Sequence, residues 1–277
     1  MTLGEFAYHV LLKPKVLRTV VRGFAAMVLP ASVRLGGVRV AVNRQDLVIG
    51  VLLALRRYER AELAFVASQI RPGMTAVDVG ANVGLFTAVL AEAVGASGTV
   101  VALEPDPENF GYLQQTIALN QFRNVRAVQA AAGEAAGSLT LHTNSGNRGD
   151  HRLYRTALAD GEVPVEVLPV DVVLERAGIA TVEFVKIDVQ GYEAKALAGM
   201  ARTLRQSPGV VVLMEFWPHG LRCAGSDPLQ LLNGLREMGF GVSLLGPGGA
   251  LHGVADDDEL IDSLPGDRYA NLVLRRG

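Results

Sequence analysis

The chain has 277 residues, with 26 Lys and Arg against 28 Asp and Glu and a formal net charge of −2, a balance that leaves no basic footprint for nucleic acid. Its single cysteine, Cys223, excludes an internal disulfide and points to a reducing, cytoplasmic setting. Hydrophobic residues make up 49% of the chain, enough for a sizeable core, and no Ser/Gly linker or internal repeat divides it.

Residues 1–57 read as a leader, helical with short strands, and residues 58–277 as one domain. Residues 1 to 30 mix Leu, Val, Phe and Met with Lys13, Lys15, Arg18 and Arg22. Pro14 and its basic neighbours interrupt the run of about eighteen apolar residues that a membrane span requires. The charges do not precede an apolar stretch as they do in a signal peptide. An amphipathic, basic leader of this kind has three surfaces on which to rest: the core that follows, a second copy of the chain in a homodimer, or the face of a membrane.

From Pro72-Gly73 onward strands and helices alternate, the pattern of an α/β fold with a parallel sheet. Strands are expected at 75–79, 99–103, 125–130, 183–187 and 210–215. Helices are expected at 84–94, 107–120 and 192–206. Val163-Pro164-Val165-Glu166-Val167 alternates as an extra strand, a β insertion with its valines on one face. A helix over 227–238 opens at Ser226-Asp227-Pro228, an N-cap followed by proline in the first turn. Strands near 240–245 and 270–275 complete the sheet, and the acidic run Asp256 to Glu259 reads as a solvated loop.

The most informative segment is VDVGANVGLFT, residues 77–87, which joins a strand to a helix through a glycine turn. Gly80 and Gly84 bracket the turn, and Ala81 and Asn82 lie between them. Glycine serves where backbone bends sharply or lies against a ligand. In open parallel sheets ligands bind at the carboxyl ends of strands, so Asp78, Gly80, Ala81, Asn82 and Gly84 border the expected crevice. A pyrophosphate loop reads GxGxxG, whereas this one reads DxGxNxG. Its aspartate repels phosphate but accepts hydrogen bonds from a cationic or hydroxyl-bearing ligand. S-adenosylmethionine, with an ammonium, a sulfonium and a ribose diol, has that chemistry. A second acid, Glu104, ends the next strand just before Pro105, where doubly wound folds grip a ribose diol. Asp106 and Glu108 fall in the first turn of the following helix, where acids favour the dipole.

Further candidates lie at later strand ends. FVKIDVQGYEAKAL, residues 184–197, delivers Asp188 to the same sheet edge as Asp78, with Glu193 in the next helix. Two carboxyls at close range push their ionisation apart, which makes Asp188 and Glu193 candidates for a general base; Asp188 is equally a candidate to hold the methionine end of the cofactor. The polar stretch Ser138 to Arg155 reads as a substrate loop carrying Asn144, Asn147, Asp150, His151 and Arg152, with His151 as another base candidate. Glu215 and His219 follow the fifth strand on the ligand side, beside the lone Trp217. No Cys/His cluster suggests zinc, and no metal is expected.

These residues together resemble the FkbM family of S-adenosylmethionine-dependent methyltransferases. The resemblance runs from about Tyr58 to Asn271-Leu272-Val273. Four segments carry it: RPGMTAVDVGANVGLFT, the strand ending in Glu104-Pro105, FVKIDVQGYEAKAL, and the terminal ANLVLRR. It implies a class I, Rossmann-like methyltransferase fold with a seven-stranded, mostly parallel sheet whose last strand is reversed. It also implies methyl transfer to a hydroxyl of a small-molecule or glycan acceptor such as a sugar, polyketide or lipid. One departure is Gln190, which stands where the family usually carries an acid in a pattern like DxEGxE. That departure keeps open a cofactor-binding module without catalysis. An NAD-linked oxidoreductase is the other alternative, and the missing GxGxxG counts against it.

Overall fold

In the computed structural model residues 29–44, 46, 50 and 59–276 are described, so the expectations for the basic stretch Lys13 to Arg22 lie outside the described residues. A hairpin of β1 (Ser32–Leu35) and β2 (Val38–Ala41) comes first. Then α1 (Arg60–Gln69) leads into the alternation β3 (Thr75–Val79), α2 (Leu85–Val94), β4 (Thr99–Leu103), α3 (Pro107–Leu119) and β5 (Val125–Val128). Pro107 and the Asp106 side chain, which accepts from the Asn109 amide at 2.8 Å, start α3 where the sequence places it.

After β5 the chain leaves the main sheet for a three-stranded one made of β6 (Ala131–Ala132), β7 (Gly137–Thr143) and β8 (Gly161–Leu168), in the order β6-β8-β7. The strand expected over 125–130 therefore ends early, because Ala131 and Ala132 pair with Val167 and Leu168 instead. In β8 Val165 and Val167 are buried while Glu162, Pro164 and Glu166 are exposed, the alternation the sequence shows.

The chain returns through α4 (Val170–Arg176) to β9 (Phe184–Ile187), α5 (Glu193–Ala198), α6 (Ala201–Gln206), β10 (Val211–Phe216), α7 (Pro218–Cys223) and α8 (Pro228–Glu237). β11 (Phe240–Leu245), β12 (Leu251–Gly253), α9 (Asp257–Asp262) and β13 (Ala270–Arg276) follow. Two expectations are corrected here. The helix over 192–206 is two helices, because the Gly199 carbonyl accepts from the Asp171 amide (2.9 Å) and Met200 leaves helical geometry. The run Asp256 to Glu259 is the start of a helix, not a loop. Asp256 caps it by accepting from the Asp258 and Glu259 amides, and Leu260 and Ile261 are buried beneath.

The main sheet has eight strands in the order β12-β11-β13-β10-β9-β3-β4-β5. β5, β4, β3, β9 and β10 are parallel, and β13 runs antiparallel to both β10 and β11. The short edge strand β12 is the addition to the seven expected. One face carries α1 and α2, with Phe65, Val66, Phe86 and Leu90 packed on Ala76, Phe184 and Leu213. The other packs Val77, Val185 and Met214 against α4, α5 and α8 through Val173, Leu197 and Leu232. The hairpin covers α2 and α3: Val38 and Val40 meet Val83, Leu85 and Ala88, and the Ala41 amide donates to Thr116 Oγ1 at 2.9 Å.

The chain winds from β3 outward through β4 to β5, then crosses back to β9 on the other side of β3. This topological switch opens a crevice beyond the carboxyl end of β3. Gly80 closes its floor. Its φ is +84°, and a Cβ there would lie 1.9 Å from the Asp188 carbonyl oxygen of neighbouring β9. Gly80→Ala is therefore expected to cost at least about 3 kcal/mol in urea unfolding. Gly178→Ala, also at positive φ just after α4 but with nothing within 4 Å of the added carbon, should cost only about 1 kcal/mol.

Candidate functional site

Register fixes which side chains meet at the crevice. Asp78 pairs with Lys186 across β3 and β9, Lys186 with Leu213 across β9 and β10, and Glu215 with Asn271 across β10 and β13. All of them point to the α1/α2 face near the strand ends. Asp78 is fully buried; its Oδ2 accepts from the Thr87 hydroxyl at 2.6 Å, and its Oδ1 has no hydrogen-bond partner. Burial pushes this carboxyl upward against the pull of Lys186 and Thr87. An unsatisfied buried acceptor costs about 1–3 kcal/mol, which is tolerated where a ligand completes the bonding.

Beside it, Glu104 is buried at the end of β4. Its Oε2 accepts from the Asn82 amide (2.8 Å) and its Oε1 from the Asp106 amide (2.9 Å). Burial raises its carboxyl to about 7 although both amides favour the charged form. Each oxygen keeps a further lone pair for a hydroxyl donor. Asn82 holds the turn at φ +51° and donates from its own side chain toward the Arg148 carbonyl (3.5 Å), while Ala81 is buried and Pro105 half-buried.

The polar loop is pinned over this end of the crevice. Arg148 donates to Asp106 Oδ1 (3.1 Å) and pairs with Glu108 (2.9 Å), and its amide donates to Asp46 Oδ2 (3.0 Å). Its carbonyl accepts from the Asn109 side chain at 3.1 Å. Asp106 thus does more than cap α3. His151 lies 3.9 Å from Asp106 Oδ2, and its Nδ1 accepts from the Asn144 amide at 3.1 Å. Burial, with Arg148 adding to it, pushes its imidazole down to about 4. The lone pair of the neutral ring is spent on Asn144.

A second group forms at the ends of β9, β10 and β13. Lys186, whose exposure is only 7%, donates to Asp188 Oδ2 (3.2 Å) and stands 4.6 Å over the Phe86 ring. Burial alone would lower its ammonium, but the carboxylates of Asp188, Glu59 and Asp78 reverse the sign and hold it above its ordinary value. Gln190 donates from Nε2 to Asp188 Oδ1 (3.0 Å) and to Glu215 Oε1 (3.1 Å). A cavity opens here, walled by Glu59 and Glu62 on the α1 side and by Lys186, Asp188, Glu215 and Asn271 on the sheet side. Tyr269, which also lines it, is 58% exposed. Burial pushes Glu215 well above the ordinary carboxyl range, with Asp188, Glu193 and Glu59 adding to the rise and Lys186 opposing it.

The structure therefore brings Asp188 and Glu215 together and gives His151 different neighbours. Glu193 is buried beside the Asp188 turn, where its Oε1 accepts from the Val189 (3.2 Å) and Gly191 (3.0 Å) amides. Trp217 is buried and donates to the Gly266 carbonyl (3.1 Å), with the Arg152 guanidinium 4.6 Å over its ring. His219 is exposed and sits 3.6 Å from the Cys223 thiol. Sequence reasoning missed Lys186, Thr87, Arg148, Tyr269 and Asn271. Lys186 had a signal: a lysine inside the apolar run of a central parallel strand is buried by position. Among the described residues no group of three His, Cys, Asp or Glu side chains is arranged to hold a metal ion, and no helix is long and apolar enough to cross a membrane.

A doubly wound sheet with acids at three adjacent strand ends and no phosphate cradle defines a class I methyltransferase. The match of the methyltransferase FkbM domain to residues 78–242 makes the assignment specific: the chain belongs to the FkbM methyltransferase family, whose methyl donor is S-adenosylmethionine. The chain is similar to protein-L-isoaspartate O-methyltransferase 2 of Arabidopsis thaliana, at 33% identity over 31% of this chain and only 26% of that protein. It is similar to the hexuronic acid methyltransferase AglP of Haloferax volcanii at 24% identity, over 58% of this chain and 60% of that one. Among solved structures, a methyltransferase FkbM from Methylobacillus flagellatus KT aligns at TM-score 0.47 and 17% identity, over 94% of this chain and 59% of that one.

The residues present fit the methyl donor. Asp78 presents an unpartnered buried acceptor and Glu104 has free lone pairs, side by side at the β3 and β4 ends. The buried Glu193 makes a separate prediction. Burial raises its carboxyl to about 7 from an ordinary value of 4.5, so its contribution to stability is full below about pH 4.5 and is lost as pH rises through 7. Glu193→Gln removes this loss. In urea unfolding the variant should match the parent near about pH 5 and exceed it near about pH 8 by up to about 3 kcal/mol.

Proposed function

We propose that the protein transfers a methyl group from S-adenosylmethionine to a hydroxyl oxygen of a sugar, polyketide, lipid or other natural-product acceptor, with Glu215 as the general base. The observation that carries this reading is the placement of Glu215 in the cavity wall beside Asp188 and Lys186, with only β9 between its strand and the β3 crevice. Burial and the neighbouring acids raise this carboxyl well above its ordinary range, which makes its ionised form a stronger proton acceptor than an exposed carboxylate. The similarity to a hexuronic acid methyltransferase supports a sugar-like acceptor.

When bound, S-adenosylmethionine supplies an electrophilic methyl on a sulfonium. In this reading Glu104 accepts the ribose hydroxyls, and Ala81 and Asn82 present the turn that the nucleoside crosses. Pro105 ends β4 so that Glu104 is its last paired residue. Asp78 and Asp188 face the cationic methionine end. Asp188 is held in place by Lys186 on one oxygen and Gln190 on the other. Glu215 takes the hydroxyl proton as the oxygen attacks, and the hydrogen bond from Asn271 on β13 to Glu62 on α1 ties the two walls of the cavity together. Glu193 braces the turn that carries Gln190. His151 holds the loop against α3. The methyltransferase domain runs from about 58 to 277.

Two experiments test the reading. Calorimetry should show S-adenosylmethionine and S-adenosylhomocysteine binding and NAD not binding; the reverse pattern overturns it. With a sugar and polyketide alcohol panel, and S-adenosylhomocysteine release as readout, Glu215→Gln should lower kcat by about a hundredfold or more and leave cofactor affinity within about twofold. If His151→Ala loses as much turnover as Glu215→Gln at unchanged cofactor affinity, the base has been misassigned.

Cofactor affinity should also depend on pH. Hydroxyl donors favour the ionised form of Glu104, whose carboxyl is raised to about 7. Affinity is therefore expected to be full above about pH 8 and to weaken as pH falls through 7, by up to about tenfold per unit. Glu104→Gln should bind more weakly at high pH and flatten the profile in the same titration.

A further inference from the structure

Gln190 occupies a position where a simple turn residue would be less strained. Its φ is +53°, in the left-handed region that non-glycine side chains avoid, and it sits between β9 and α5 immediately before Gly191. The backbone there gains nothing from a glutamine. The side chain commits both N–H bonds of its amide, one to Asp188 Oδ1 at 3.0 Å and one to Glu215 Oε1 at 3.1 Å. With Lys186 donating to the other Asp188 oxygen at 3.2 Å, the four residues form one chain: ammonium, carboxylate, amide, carboxyl. No described residue bonds the second oxygen of Glu215, which lines the cavity.

The surroundings explain why a neutral double donor matters. Asp188 and Lys186 from β9, Glu193 from α5 and Glu59 before α1 act on Glu215, and Tyr269 lines the same cavity. Among the described residues of this group carboxyls outnumber the ammonium. Two facing carboxylates without a donor between them each make the other harder to ionise. An amide that donates to both lets each take up the charge in turn without moving.

We propose that Gln190 is a positioning residue of the transfer: its amide ties Asp188 to Glu215, keeps the Glu215 carboxyl in one orientation with an oxygen open to the cavity, and favours ionisation of Glu215 before the acceptor is deprotonated. The inference rests on the assignment of Glu215 as base. At that residue one proton is taken up from the acceptor hydroxyl as the oxygen–methyl bond forms and the sulfur–methyl bond breaks.

The test reads ionisation directly and needs neither acceptor nor turnover. The full chain is labelled with carboxyl-13C glutamate, the Glu215 signal is identified by its loss in Glu215→Gln, and its midpoint is followed by NMR in the parent and in three variants. Gln190→Gly relieves the positive φ and removes the amide, and the Glu215 midpoint should rise by about half a pH unit or more. Gln190→Asn keeps an amide that tolerates this φ but is one methylene too short to span both acids, and it should move the midpoint the same way. Gln190→Glu replaces two donors with a third carboxylate and should raise the midpoint by about one unit or more. If the Gly and Asn variants leave the midpoint within about 0.2 unit of the parent, Gln190 serves the turn alone and the proposal is wrong. Failure of the base assignment looks different: Glu215→Gln then retains turnover, whatever the titration of Gln190 variants shows.

Discussion

The ammonium of Lys186 is what allows acids to share the end of one parallel sheet. Asp78, Asp188 and Glu215 arrive at adjacent strand ends because β3, β9 and β10 run parallel and in register. Burying three carboxyls in one place would by itself protonate them. Lys186 enters the same face between them, within hydrogen-bonding distance of Asp188 and over the Phe86 ring. Its charge is held by the acids as theirs is held by it, so the group is mutually dependent. Removing one member of such a set leaves uncompensated charge, which costs more than the pair itself contributes.

That electrostatic arrangement depends in turn on how closely the backbones approach. The β3 turn lies against the Asp188 carbonyl with no space for a side chain at Gly80. The same closeness sets Asp78 beside Lys186 and brings the Asn82 amide to Glu104. A wider turn would separate the acids and admit water between them, lowering the raised carboxyls toward ordinary values. Packing and ionisation are one property here, and the glycine turn is where they join.

Much of this fold was legible in the sequence because its signals are local. Pro72-Gly73, the glycine turn and Glu104-Pro105 punctuate strands whose observed limits, Thr75–Val79 and Thr99–Leu103, are those expected. What escaped depends on partners distant in the chain. Arg148 reads as one more polar loop residue until its bonds to Asp106 and Asn109, about forty positions away, pin the loop. The break at Gly199 depends on Asp171. Asp256 to Glu259 looked solvated because its charges were counted without the buried Leu260 and Ile261 that follow. Gln190 stood out as a lost acid; its two hydrogen bonds show an amide with a task of its own.

The crevice has two halves of unlike chemistry, and their difference bears on how the site orders its ligands. At the Glu104 end, backbone amides and the Arg148 clamp make a largely preformed cradle of fixed dipoles. Such a surface needs little rearrangement to receive a neutral nucleoside. At the Glu215 end, carboxyls outnumber the ammonium among the described lining residues, a surface that suits a cation. In the proposed reading the methionine end of the cofactor is that cation. Acids gathered at adjacent strand ends would hold that cationic end by charge, while the amides and lone pairs at the Glu104 end would hold the uncharged one, so the chemistry of its two ends sets the ligand's direction along the crevice.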